Sequence, residues 1–147
     1  MNIVTKHFNE LTPHELYKIL KLRSRVFVVE QNCVYLDLDD KDLNAHHVLG
    51  FVGDDLCAST RLLAKGISYD DYPSIGRVVN ALEYRNAGYG KQIMQYSISK
   101  MQELYPNQSI KIGAQQYLDK FYISLGFVQS GEMYLEDDIP HIPMILK

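Results

Sequence analysis

The chain alternates short apolar runs with amphipathic stretches, and the two periodicities separate strands from helices. The opening run "NIVTKHF" predicts a strand. Thr12, Pro13 and Glu15 then form a capping box with proline at the first helical position, which predicts a helix from about Pro13 to Glu30. Its stripe is Leu16, Leu20, Arg23, Phe27 and Glu30, so two charged residues, Arg23 and Glu30, share a face with apolar neighbours.

Farther along, "HVLGFVG" is an apolar run that ends near the turn "GDDL", and a second run around Cys57 to Ala64 completes an antiparallel hairpin. "SIGRVVN" reads as a buried strand, and Ile93, Met94, Ile98, Met101, Leu104 and Tyr105 recur at helical spacing after it. "IKIGA" follows as a short strand, and strand, helix, strand in that order implies a parallel pair. A short helix from about Tyr117 to Leu125 closes on Gly126, with "FVQSGEMYLE" and "HIPMILK" as two final strands. The sum is an α+β fold in one domain over residues 1–147. Its mixed sheet is antiparallel toward the N-terminus, parallel around the glycine turn and flanked by helices.

That turn lies in "EYRNAGYGKQIM". A glycine inside a helix costs about 1 kcal/mol relative to alanine, so Gly88 and Gly90 need a reason to be there. The first N–H groups of a helix point outward without partners, and two positions lacking side chains let a bulky anion reach them. A P-loop is excluded, because Arg85 stands at its first glycine and Gln92 at its hydroxyl residue. A dinucleotide fingerprint is excluded by Ile93 in place of its third glycine. The acidic stretch "YLDLDDKDLNAHH" reads as a loop and fails as a calcium site: Lys41 falls on a ligand position, Asp42 on the required glycine and Val48 on the bidentate glutamate.

Composition narrows the setting. At 147 residues, 46% hydrophobic and 22% charged, the chain is long enough for one core with a cleft beside it. A net charge of −3, with no cluster of Lys or Arg, argues against nucleic acid and leans toward cationic substrates. No apolar run approaches the length that spans a bilayer, and the opening residues lack a leader core, so a cytoplasmic protein without membrane contact is expected. Cys33 and Cys57 form no C-x-x-C pair, so reduced thiols and no metal site are expected.

What remains at the turn is Arg85-x-x-Gly88-x-Gly90, and this resembles the acetyl-CoA pyrophosphate loop of the GCN5-related N-acetyltransferases (GNAT), Arg/Gln-x-x-Gly-x-Gly/Ala. "FYISLGF", Phe121 to Phe127, is similar to the tyrosine helix ending in Gly-Phe that follows the fifth strand in those enzymes. Over nearly the whole chain, "LRSRVFVVEQNCVY", "IGRVVN", "GAQ" and "YLEDDIPHIPM" resemble the ElaA-like branch of that superfamily.

The resemblance implies the GNAT (acyl-CoA N-acyltransferase) fold. It also implies an N-acetyltransferase that passes an acetyl group from acetyl-CoA directly to a primary amine; whether it works as a monomer or homodimer is left open by the sequence. Backbone groups of Val78, Val79 and Asn80 are then expected to hold the pantetheine arm and the acetyl carbonyl. The turn Arg85, Asn86, Ala87, Gly88, Tyr89, Gly90 and Lys91 is expected to bind pyrophosphate, with Arg85 as an added cation. Tyr122 is implied as general acid, since a phenol with an unperturbed pKa of about 10 keeps its proton at neutral pH. Glu30 is the first candidate for base or amine-binding carboxylate, with Glu136 and His141 behind it, and Arg23, Glu136 and His141 are the expected substrate-binding residues.

Two positions depart from the family pattern. Asn86 replaces a glycine common in relatives and is expected to cap the helix. Asp138 replaces the glycine of the ElaA-like pattern, a residue that tolerates positive φ, just before Ile139 and His141. Two other functions fit part of the chain. "RSRVFVVEQ" followed by an acidic loop is similar to acyl-homoserine-lactone synthases, against which the complete acetyl-CoA loop weighs. A non-catalytic acyl-CoA sensor would need the same loop, and the intact Tyr122 favours an enzyme.

Overall fold

The computed structural model describes residues 1–147. Its strands are β1 (Asn2–His7), β2 (His46–Val52), β3 (Asp55–Leu63), β4 (Ser74–Asn80), β5 (Ile110–Gln115), β6 (Val128–Gln129), β7 (Tyr134–Glu136) and β8 (Ile139–Leu146). The helices are α1 (Pro13–Arg23), α2 (Tyr89–Leu104) and α3 (Asp119–Ser124). Strand order is β1-β2-β3-β4-β5-β8-β6, with β7 also on β8. Only β4 and β5 run parallel, joined by α2 as the pattern predicts.

Alternation along the strands sorts residues to two faces. Ile110, Ile112 and Ala114 of β5 and Ile142 and Met144 of β8 bury themselves with Ile93, Met94 and Met101 of α2 in the main core. On the other face Leu22 and Val26 cover Val79 and Ala81. No helix is long and apolar enough to cross a membrane.

Two irregularities in β4 open the middle of the sheet. Ser59 pairs with Val79 and Arg61 with Gly76, so Thr60 of β3 is opposed by both Arg77 and Val78, a β-bulge with Arg77 at φ +46°. Beyond the bulge β4 leaves β5: the two strands share a single register pair, Ser74 with Lys111.

The first helix departs from expectation. Its α-helical part stops at Arg23, and Ser24–Glu30 continues as a π-helix. The i→i+5 bonds of that segment shift the register, so Arg23 and Glu30 no longer share a face. The buried positions are Ile19, Leu22, Arg23 and Val26, one step round from the expected stripe. The predicted helix over Tyr117 to Leu125 shortens to α3 behind a 3₁₀ turn at Gln116–Leu118. "FVQSGEMYLE" splits into β6 and β7, and Asp137 and Asp138 take φ of +49° and +63° at the turn into β8, so aspartate supplies the conformation glycine was expected to.

The acidic loop turns its acids inward and its apolar residues outward. Val34, Leu36 and Leu38 are exposed, whereas Asp37 and Asp42 are buried against arginines. Arg23 is 1% exposed; its Nε donates to Asp37 Oδ2 at 2.8 Å, and its Nη1 and Nη2 donate to the two oxygens of Asp42 at 2.8 and 3.1 Å. Arg61 donates to both oxygens of Asp39 at 2.8 and 3.0 Å and to Asp42 at 3.1 Å. From the bulge, Arg77 donates Nη2 to the Asp37 carbonyl at 2.9 Å, with Nε 2.8 Å from Asp37 Oδ1 but not aligned for a hydrogen bond. Three positive and three negative groups cancel there.

Burial pushes the Asp39 and Asp42 carboxyls up, but hydrogen bonds and charge from Arg61 and Arg23 outweigh it and hold both below the usual carboxylate range. Burial likewise lowers His47, whose Nε2 lies 3.0 Å from the Asp42 carbonyl, so the fold favours its neutral ring.

Arg23→Met is expected to cost about 3–5 kcal/mol in urea unfolding, because it leaves three carboxylates in the buried cluster to only two arginines. The pH dependence comes from depressed values in the folded state for all three groups. Stabilisation from His47 is complete above its ordinary 6.5 and is lost as pH falls through its lower folded value. That from Asp39 and Asp42 is complete above 3.8 and is lost at still lower pH. Unfolding free energy measured against pH should therefore decline in two stages, and His47→Gln should shrink the first, to which the burial-lowered His46 also contributes.

Candidate functional site

Where β4 parts from β5 the structure holds a cavity of about 720 Å³. Val78, Val79 and Asn80 form one wall, Phe121 and Tyr122 approach from the core side, and Tyr134, Glu136 and His141 close the far end.

At one end stands α2. Gly88 is its N-cap at φ +79°, a left-handed conformation that suits glycine, and the first bond of the helix runs from Gln92 N–H to the Gly88 carbonyl at 3.0 Å. The N–H groups of Tyr89, Gly90 and Lys91 therefore have no helical partner. Asn86, expected as the cap, instead lies two residues before it at φ +67°. Gly90 has ordinary helical φ, and a Cβ there would sit 3.9 Å from Asn80 Nδ2 and Phe121 Cζ. So Gly88 serves backbone conformation, whereas Gly90 leaves space. Asn80 Oδ1 is buried beside it without a partner.

Arg85 is not the free cation expected. Its Nη1 and Nη2 grip the two carboxylate oxygens of Glu30 at 2.6 and 3.0 Å, and its Nε and Nη2 donate to the Asn80 carbonyl at 3.1 and 3.0 Å. This fork ties the π-helical segment to the end of β4 and occupies the oxygens of Glu30. Arg23 does not line the cavity; it is buried in the arginine–aspartate cluster behind it.

Tyr122 is 6% exposed, edge-on to Phe121 and Phe127, and burial raises its phenol to about 12. At the far end the Tyr134 ring stacks on His141 at 5.8 Å, and His141 Nε2 lies 3.5 Å from Glu136 Oε2. Burial, with the nearby Tyr69 and Glu136, raises Tyr134 to about 12, and burial with Glu136 also raises Tyr69. Gly113 makes room for both phenols: a Cβ there would collide with the Tyr134 hydroxyl.

One cavity thus gathers Glu30, Val78, Val79, Asn80, Arg85, Gly90, Tyr122, Glu136 and His141, while Asn86, Ala87, Gly88, Tyr89 and Lys91 make the adjoining turn. Sequence reasoning missed Tyr69, Tyr134 and Gly113. Tyr69 sits in "GISYDDYPS", which carries no periodicity, and Tyr134 reaches Gly113 only because β7 folds back on β8.

β4 bulges and parts from its parallel partner, and the cavity this leaves opens onto a helix N-terminus whose first N–H groups have no helical partner. Residues 49–147 match the family model of the acetyltransferase (GNAT) domain. The chain belongs to the GNAT acetyltransferase family. The ElaA protein of Escherichia coli K12 is 42% identical to this GNAT chain over 142 residues, covering 94% of it and 91% of ElaA. The crystal structure of E. coli ElaA superposes with a TM-score of 0.92 at 38% identity over the full length of both chains. An acyl-CoA N-acyltransferase from Pseudomonas aeruginosa matches with the same TM-score, identity and coverage. At 15% identity and a TM-score of 0.70, an aminoglycoside 6′-N-acetyltransferase complexed with coenzyme A shares the fold, over 97% of this chain and 95% of that one. The GNAT domain is an acyltransferase, and its class of donor is an acyl-CoA.

Gly90 offers a test that separates fold from ligand. Gly90→Ala should stabilise α2, by up to about 1 kcal/mol from helix propensity. It should nonetheless weaken coenzyme A binding by about tenfold or more in calorimetry, about 1.4 kcal/mol, by filling the approach to the helix N–H groups. Unchanged affinity would mean that the space above Gly90 is not used.

Proposed function

We propose that the protein is an N-acetyltransferase that moves the acetyl group of acetyl-CoA to the primary amine of a small molecule or peptide, by direct transfer within a ternary complex. The observation that carries this reading is the joining, in one cavity, of three features. These are the unpaired N–H groups at the start of α2, the bulged edge of β4 and the buried phenol of Tyr122. The first suits a pyrophosphate. The second offers backbone N–H and C=O groups to an amide-bearing arm and to the oxyanion that develops on the thioester carbonyl. The coenzyme A seen in the aminoglycoside enzyme of the same fold supports this donor.

Tyr122 is the proton source for the departing thiolate. Burial keeps the proton on the phenol at neutral pH, and a thiolate expelled into the same desolvated cavity becomes more basic for the same reason. Glu30 is held by Arg85, so amine binding passes to Glu136, whose side chain is 61% exposed and free of any Lys or Arg. An exposed carboxylate at the far end of the cavity suits a cationic acceptor.

Free thiol released from acetyl-CoA is the readout, across polyamines, amino acids, aminoglycosides and peptide N-termini. At least one should give amine-dependent release, and none doing so would remove the transferase reading. With that amine, Tyr122→Phe should fold and bind acetyl-CoA nearly as wild type while kcat falls by about 10²-fold or more. Wild-type kcat under chemistry-limited conditions would leave Tyr122 as a core aromatic alone.

A further inference from the structure

The ring of His141 is fixed in a way that settles where its proton lies. Nδ1 is 2.7 Å from the carbonyl oxygen of Ile139, and a carbonyl can only accept, so Nδ1 carries the hydrogen. In the neutral ring Nε2 is then a bare lone pair, 3.5 Å from Oε2 of Glu136, which is also an acceptor. Two acceptors facing each other across that gap repel unless a donor joins them. The donor is either a group that brings its own N–H or a proton on Nε2 itself. Stacking on Tyr134 and pairing of β8 with β5 at Gln115 hold the ring, whose side chain is 9% exposed and lines the cavity.

We propose that His141 is the general base of the transfer: Nε2 takes the proton that the acceptor ammonium must lose, and Glu136 holds first the ammonium and then the imidazolium. This rests on the acetyltransferase reading above. The ammonium gives one proton to Nε2, and the freed nitrogen lone pair forms the C–N bond to the thioester carbonyl carbon. The C–S bond breaks with its electron pair on sulfur, which takes the Tyr122 proton. The surplus proton on nitrogen returns to the Tyr122 phenolate, and the imidazolium releases its proton to water. The sum is amide, free thiol and one proton. The groups facing the ring are Glu136 and Tyr134 from β7 and Gln115 from β5, and of these only Glu136 is charged at neutral pH.

The test has two arms. Nitrogen-15 NMR of the imidazole in the ligand-free protein should show the Nδ1–H tautomer, and an Nε2–H tautomer would overturn the proposal. In the second arm, His141→Asn keeps a short N–H donor for the Ile139 carbonyl but removes Nε2. With the best amine from the screen, its kcat/KM should fall by about 10²-fold or more at neutral pH, with loss of the acid limb of the wild-type profile and unchanged coenzyme A affinity. With hydroxylamine, already neutral at that pH, the loss should be much smaller. Should the asparagine variant fail to fold, His141→Gln carries the same measurement. A folded variant with wild-type kcat/KM and the same acid limb would overturn the base assignment alone. Failure of the wild-type protein to release thiol with any amine would overturn the transferase reading and this one with it.

Discussion

Three arginines and three aspartates sequestered on one face of the sheet set the geometry on which the rest of the structure depends. Taken singly, each would be too costly to remove from water; as a neutral set with nearly every hydrogen-bonding group engaged, they can be buried together. Their main contribution is register rather than raw stability. Arg23 comes from the end of α1, Arg61 from β3, Arg77 from the bulge, and the three carboxylates from one loop. No one of these elements can slide without unpairing a buried charge. Arg77 accepts a left-handed backbone at the place where β4 turns away from β5, and the cluster anchors its side chain there.

The glycine turn, the parallel pair and the tyrosine helix were legible because their signals are local. A strand run, two glycines at fixed offsets and a helical stripe lie within one stretch of chain. The inward turn of the acids in the loop was not legible, for the opposite reason. The loop's alternation of Tyr35, Asp37 and Asp39 with Val34, Leu36 and Leu38 is plain in the sequence, but polarity suggests that the acids face water. Only the arrival of three distant arginines makes inward the favourable direction. The break at Arg23 was hidden similarly, since a π-helical segment has no clear mark in side-chain spacing and yet moves Glu30 to a new partner.

The site divides along the same line. Its donor end comes from contiguous residues and could be named from them. Its acceptor end is assembled from "GISYDDYPS", β5, β7 and β8, whose side chains meet only after the hairpin closes. Arg85 stands between the two ends. Its position in the motif marks it for a phosphate, but its fork fits the carboxylate of Glu30 and the carbonyl of Asn80, so in this chain it acts as a brace.

The single register pair between β4 and β5 has a thermodynamic consequence. A sheet that parts in its middle carries an interior edge, where backbone groups look to water or to a guest for partners. An elongated molecule with alternating donors and acceptors that paired there would complete the sheet as a further strand does, and would bind the folded chain but not the unfolded one. Occupancy and folding are then linked: at a ligand concentration a hundred times its Kd the native state gains about 2.7 kcal/mol. For a domain of ordinary marginal stability that is a substantial share of the whole, so the metabolite level in its surroundings would help set how much of the protein is folded.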